Sequence, residues 1–238
     1  MAGRRVVVTG GTAGIGLAIA RSLRERGDKV FICGRDAGRL DSALGDLTDG
    51  STLPPVGGAV CDVRDLAAVE ALIAAARRHL GGLDGLVNNA GTIFIRDFEE
   101  ISPAMWAEIV GTNLTGAFNC CHAALPALKE AAALGGAVDI VNIGSRSGRY
   151  SFRGGVGYNT TKFGLQGFTE ALFLDLNRFG IRVGLVAPGT VATGLGGTAA
   201  ADWHLRPEDV GEAVASMIGA RAGACVNWVE IRPARPPT

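Results

Sequence analysis

Charge imbalance, tyrosine, lysine and patterned cysteine are all scarce in this chain, and each scarcity removes a class of function. The 238 residues carry 23 Lys and Arg against 23 Asp and Glu, for a formal net charge of zero. No basic block is long enough to track a nucleic-acid backbone or an anionic membrane, so neither is expected as a partner. Aromatic residues make up only 6%, so the core must be built from aliphatic side chains and alanine. No apolar run reaches membrane-spanning length, and no basic stretch leads into an apolar leader segment. The five cysteines, Cys33, Cys61, Cys120, Cys121 and Cys225, show neither CxxC nor Cys/His metal spacing. No metal is therefore expected, and reduced, buried thiols in a cytoplasmic protein are the expected state.

What is present in quantity is glycine, 36 residues, placed between apolar runs as turns and close approaches. Val6–Val8 reads as a first strand. It ends at Thr9-Gly10-Gly11-Thr12-Ala13-Gly14-Ile15-Gly16, and a helical stripe of Ile15, Ile19 and Leu23 stops at Gly27. Further strands are expected at 29–33, 59–61, 83–87, 137–143, 181–187 and 226–231. Helices are expected at 36–47, 65–80, from Ser102-Pro103 onward, at 158–179, and from Arg206. The stretch 48–58 reads as a loop, and 232–238 as a flexible or polyproline end. No linker or repeat interrupts this alternation, which predicts one doubly wound, mainly parallel seven-stranded Rossmann-type domain over residues 1–238.

Four features carry chemistry. A Gly-rich turn between a strand and a helix N-terminus aims free N–H groups and the helix dipole at an anion such as a pyrophosphate. Its spacing, Gly-x-x-x-Gly-x-Gly, departs from the dinucleotide fingerprint. Gly34-Arg35 follows the second strand where an NAD site would carry an acid, and an arginine there can pair with the 2′-phosphate of NADP. Asn88-Asn89-Ala90-Gly91 lies at the end of the fourth strand, where open α/β sheets bind ligands. Tyr158 and Lys162 are four apart on a helix, hence on one face. An ammonium beside a phenol is expected to pull its pKa down from about 10, making it a usable acid or base. This pair is drawn from only two tyrosines and three lysines.

In order along the chain, Thr9-Gly10-x-x-x-Gly14-Ile15-Gly16, Asp62-Val63, Asn88 to Gly91, Asn113, Ser145, Tyr158-x-x-x-Lys162 and Pro188-Gly189 with Thr193 resemble the short-chain dehydrogenase/reductase family over nearly the full length. The resemblance implies a hydride transfer between a nicotinamide and a carbonyl or secondary alcohol. Tyr158 would move the proton, and Lys162 would lower its pKa and bond the ribose. Ser145 would steady the substrate oxygen, and Asn113 would hold a relay water. Gly10, Thr12, Gly14, Ile15 and Gly16 would cradle the dinucleotide, and Asp62 and Val63 would meet adenine. Asn89, Ala90 and Gly91 would line the cofactor, with Pro188, Gly189, Val191 and Thr193 near the carboxamide.

NADP(H) is favoured over NAD on Arg35 alone, since Ala13 stands where many NADP-preferring members carry a base. Gly184 replaces a common Asn, with a looser strand expected. The ending Trp228 to Pro233 resembles members related to 3-hydroxy-acid dehydrogenases. Ile93 to Ile95, the segment after Ser145 and a lid at 189–205 should enclose a small carbonyl or alcohol substrate. Tyr150, Phe152, Trp203 and Leu205 are candidate walls, and Arg153 and His204 candidate anion contacts. Similar proteins suggest a homodimer or homotetramer through helices near 102–128 and 158–179. An NAD-dependent alcohol dehydrogenase and a non-catalytic NADP-binding sensor are the alternatives.

Overall fold

In the computed structural model, which describes residues 3–48, 53–54, 56–195, 201–221 and 223–235, seven strands form one parallel sheet. They are β1 Arg5–Thr9, β2 Lys29–Gly34, β3 Val56–Val60, β4 Gly85–Asn88, β5 Val138–Ile143, β6 Ile181–Pro188 and β7 Trp228–Ile231, in spatial order β3-β2-β1-β4-β5-β6-β7. All pairings are parallel. The order reverses direction at β1 and β4, so a crevice opens beyond their carboxyl ends.

The helices are α1 Gly14–Glu25, α2 Ala37–Thr48, α3 Leu66–Leu80, α4 Pro103–Val110, α5 Gly116–Ala133, α6 Val156–Leu176 and α7 Pro207–Ile218. They cover both faces of the sheet. One apolar layer gathers β-strand residues such as Val7, Leu86 and Ile140 with α3 and α5. The other joins Val8, Ile32 and Val186 to α1 and α7. Because both faces are covered, the central strands are continuous apolar runs; β6 is buried at every position. Short local signals set the helix ends. Asp65 caps α3 by accepting from Ala67 and Ala68 N–H, and Gly81 ends it in the left-handed region at φ 77°. Ser102 caps α4 and Pro103 is its first residue.

Three expectations need correction. The third strand begins at Val56 rather than at 59, so Gly57 and Gly58 belong to the sheet. A Cβ on Gly57 would lie 2.8 Å from both His79 and Phe31 side chains, so these glycines make room for packing rather than for a loop. Gly184 does not loosen β6: a Cβ there would meet Met217 Cε and the Val226 carbonyl at 2.6 Å. It is the gap through which α7 and the chain before β7 press onto the sheet. The long helix expected after Ser102 is interrupted by a π turn at Gly111–Thr115, with Asn113 inside it.

A buried ionic knot ties the rim opposite the crevice. Asp139 at the start of β5 accepts from Arg182 at 2.7 and 2.8 Å and from Arg4 at 2.6 Å. The two guanidiniums also donate to carbonyls of Ala137, Ile218, Ala220 and Ala224. Arg182 has all three guanidinium nitrogens engaged, so the buried Asp139 carboxylate is paired within a well-bonded network.

Candidate active site

The crevice beyond β1 and β4 is a cavity of about 630 Å³. Its walls bring together residues from most of the chain. One side is the turn Gly10, Thr12, Ala13, Gly14 and Ile15; the far end holds Arg35, Arg39, Asp62 and Val63. The middle is Asn89, Ala90 and Gly91, and the near end holds Ile143, Tyr158, Lys162 and Thr193.

The turn is held by neighbours rather than by its own strength. Asn89 Nδ2 donates to the Thr9 and Gly10 carbonyls at 2.9 and 3.1 Å, and Thr9 Oγ1 accepts from the Asn89 and Ala90 N–H groups at 3.0 Å. Gly10 sits at φ 63°, where a side chain would be strained. Gly16 does not reach the cavity wall. A Cβ on it would lie 2.2 Å from the Gly10 carbonyl oxygen and 2.4 Å from Asn89 Nδ2. Its absence of side chain lets α1 start directly beneath the turn.

At the far end Arg35 and Arg39 both line the cavity. Asp36, which could repel an anion there, accepts the Arg39 N–H at 2.8 Å as the cap of α2. Asp62 is turned toward Arg64, with Oδ2 2.5 Å from its Nη2. That bond, more than any other influence, holds the Asp62 carboxyl below its ordinary pKa.

At the near end, Ser145, Tyr158 and Lys162 converge. A buried relay fixes α6 against the sheet: Asn88 Nδ2 donates to Asn142 Oδ1 at 2.8 Å, and Asn142 Nδ2 donates to Thr169 Oγ1 at 2.8 Å. Gly148 completes the contact, since a Cβ there would come 2.8 Å from the Lys162 carbonyl oxygen. Lys162 is 7% exposed, and its Nζ donates to the Ile143 carbonyl at 2.8 Å. Nζ also lies 5.6 Å from the Tyr158 ring centroid. Burial pushes the lysine pKa down to about 8. Burial also raises the Tyr158 pKa, opposed by a hydrogen bond with Ser145. Loss of water around the phenol thus outweighs the Ser145 hydrogen bond.

Asn113 is 2% exposed and its side-chain amide is committed. Nδ2 donates to the Thr92 carbonyl at 2.9 Å and Thr161 Oγ1 at 3.0 Å, and Oδ1 accepts the Thr92 N–H at 2.7 Å. It clamps the segment after Gly91 onto α6. Asn113, Ser145, Pro188, Gly189 and Val191 do not form the cavity wall themselves; Val191 instead bridges to Leu205. Leu205 is buried rather than a free wall. Arg153 pairs with Asp97 at 3.5 Å on the surface, and His204 Nδ1 accepts the Ala201 N–H at 3.2 Å. The expected lid is described at 189–195 and 201–205; positions 196–200, and 236–238 of the tail, lie outside the described residues.

Arg39, Thr112, Cys33 and Cys61 also stand in the wall, and no motif in the sequence marks them. Arg39 was within reach, one helical turn beyond Arg35. The cysteines were not, because their place depends on strand register.

A parallel doubly wound sheet with a Gly-rich turn at one end of its crevice and a Tyr–Lys pair at the other defines a dinucleotide-binding oxidoreductase class. Residues 4–203 match the family model for short chain dehydrogenases, and the chain belongs to the short-chain dehydrogenase/reductase family. A sulfoacetaldehyde reductase of Chromohalobacter salexigens is 34% identical, covering 97% of this chain and 94% of its own. A variant of actinorhodin polyketide ketoreductase, solved with NADPH, is 33% identical, with a TM-score of 0.87 and 98% of both chains covered. The 3-ketoacyl-(acyl-carrier-protein) reductase of Brucella melitensis, solved with NADH, is 27% identical, with a TM-score of 0.90 and 98% of both chains covered. Among the described residues no helix is long and apolar enough to cross a membrane, and no cluster of His, Cys, Asp or Glu could hold a metal ion.

Proposed function

We propose that this chain is an NADP(H)-dependent ketoreductase, a single catalytic domain that exchanges a hydride between the nicotinamide and a carbonyl or secondary alcohol. The observation that carries the reading is the polarity of one cavity. It has two guanidiniums, Arg35 and Arg39, at one end and Tyr158 and Lys162 at the other, with Ser145 behind Tyr158 and hydrogen-bonded to it. The glycine cradle at Gly10 and Gly14 fits a pyrophosphate, because side chains at these positive φ angles would be strained and would fill it. Asn89 to Gly91, Asp62 and Val63 would line the dinucleotide between its ends. The relative solved with NADPH supports the choice of cofactor, and the one solved with NADH defines its test.

When bound, the nicotinamide supplies or accepts the hydride. The protein moves the proton. Tyr158, a phenol that is protonated at neutral pH, gives its hydroxyl proton to the carbonyl oxygen as negative charge develops there. Ser145, hydrogen-bonded to that hydroxyl, holds it in place and stabilises the phenolate that forms. Lys162, anchored on Ile143, sets a positive charge beside the phenolate that remains. Asn113 fixes the floor at Thr92, and Thr193 borders the nicotinamide end.

The five free thiols fit a reducing compartment and support a cytoplasmic location. Exposed Trp106, Phe118, Phe163 and Leu174 on α4 to α6 fit a homodimer or homotetramer interface. Light scattering tests that assembly. The function is tested by NADPH oxidation against ketones, aldehydes, 3-oxoacyl thioesters and quinones. Turnover of at least one carbonyl class is expected; NADPH binding with no turnover in any class would favour the non-catalytic sensor.

A further inference from the structure

The catalytic reading leaves two buried nucleophiles unused, and they stand in the cavity wall. Cys33 is 1% exposed and Cys61 3% exposed, yet both line the crevice. Cys33 pairs with Ala59 across the β2–β3 ladder, and the Cys61 N–H continues that ladder to the Gly34 carbonyl at 2.9 Å. Residues two apart on a strand share a face, so both thiols point to the same side of adjacent strand ends. Cys61 lies two residues beyond Ala59, the partner of Cys33, so the two thiols are diagonal neighbours on that face. Cys33 and Cys61 immediately precede Gly34-Arg35 and Asp62-Val63, which form the far end of the cavity.

We propose that Cys33 and Cys61 are an oxidative modification site: a dithiol that hydroperoxides convert to a disulfide, and whose oxidation and dinucleotide binding exclude one another. The inference rests on the dinucleotide reading of the cavity. Each thiol is the main influence on the other: the Cys33 pKa is raised and that of Cys61 lowered. Cys61 is therefore the attacking sulfur.

Its thiolate attacks one peroxide oxygen. An S–O bond forms, the O–O bond breaks, and hydroxide leaves with the bonding pair. Cys33, losing its proton, then attacks the Cys61 sulfenic sulfur. The S–S bond forms, the S–O bond breaks, and water leaves. Two thiols and one hydrogen peroxide give one disulfide and two waters.

Closing the bond requires the sulfurs to approach to about 2.05 Å. That pulls the ends of β2 and β3 together beneath Arg35 and Asp62, where an adenosine would lie. By reciprocity, a bound dinucleotide holds those ends apart and covers the thiols. Cys120 carries a third nearby thiol, but it does not reach the cavity and is not expected to compete.

The test treats the reduced full-length protein with hydrogen peroxide, with and without saturating NADP⁺, and maps cross-linked peptides by mass spectrometry without reduction. A Cys33–Cys61 cross-link that the dinucleotide suppresses is expected. Oxidised protein should bind NADPH about 10-fold or more weakly by fluorescence titration, with recovery in dithiothreitol. Cys61→Ala should make binding insensitive to peroxide; if that variant does not fold, Cys33→Ala reads the same property. The absence of a cross-link overturns the proposal, as do a link through Cys120, equal cross-linking with NADP⁺, or unchanged affinity. Should the reduced protein bind neither NADPH nor NADH, the parent reading falls and the gating claim falls with it. The cross-link map alone then decides the modification.

Discussion

Lys162 reaches from α6 to the end of β5, where its Nζ donates to the Ile143 carbonyl at 2.8 Å. This bond does not fully offset the loss of water around the amine, whose pKa falls from 10.5 to about 8. Below about pH 8 the lysine is charged in both folded and unfolded chains, and burying it opposes folding in full. Between about 8 and 10.5 the folded chain sheds the proton first, so the penalty fades. Lys162→Met should therefore be more stable than the parent at about pH 7, by on the order of 3 kcal/mol, and should converge with it by about pH 10.5. Urea unfolding at both pH values measures this; a constant offset would remove the buried charge as its cause.

If Tyr158 is the proton donor, as proposed, Tyr158→Phe removes that donor while leaving the ring against Phe152. Turnover should fall by at least about 10²- to 10⁴-fold, the range for general acid catalysis. NADPH affinity, followed by fluorescence, should hold within a few-fold. Wild-type turnover in the variant would assign the acid elsewhere.

Arg35→Ala and Arg39→Ala should each weaken NADPH by roughly 10- to 100-fold, the value of a lost charge-assisted contact. NADH should change little. Equal losses for both cofactors, measured by titration, would mean that the guanidiniums do not meet a 2′-phosphate.

Gly184→Ala should destabilise the fold by about 1–3 kcal/mol, because its methyl would meet Met217 and the Val226 carbonyl. The second contact is backbone and cannot swing aside. A thermal melt indistinguishable from the parent would mean that the chain before β7 yields freely.

Much of this architecture is legible in the residues themselves. Val6 to Val8 followed by the Gly-rich turn and the stripe of Ile15, Ile19 and Leu23 announces strand, phosphate turn and helix in one run. The spacing of Tyr158 and Lys162 announces a shared helix face. What is hidden depends on partners distant in sequence. Gly57 and Gly58 read as loop because their reason for being glycine is the Phe31 and His79 rings and the Leu40 side chain across the sheet. The π turn around Asn113 leaves no mark on the apolar stripe. Cys33 and Cys61 become a pair only when the β2–β3 register is known. The direction of the Tyr158 shift depends on how much water the folded chain removes, which spacing cannot express.

The strand order also bears on how the molecule forms. Gly10 on one side of the crevice and Ile143 on the other meet only after β4 has inserted between β1 and β5. These pairings close long loops, which are slow to find. Helix signals should therefore recover early during refolding, and carbonyl turnover should return only with the slowest phase.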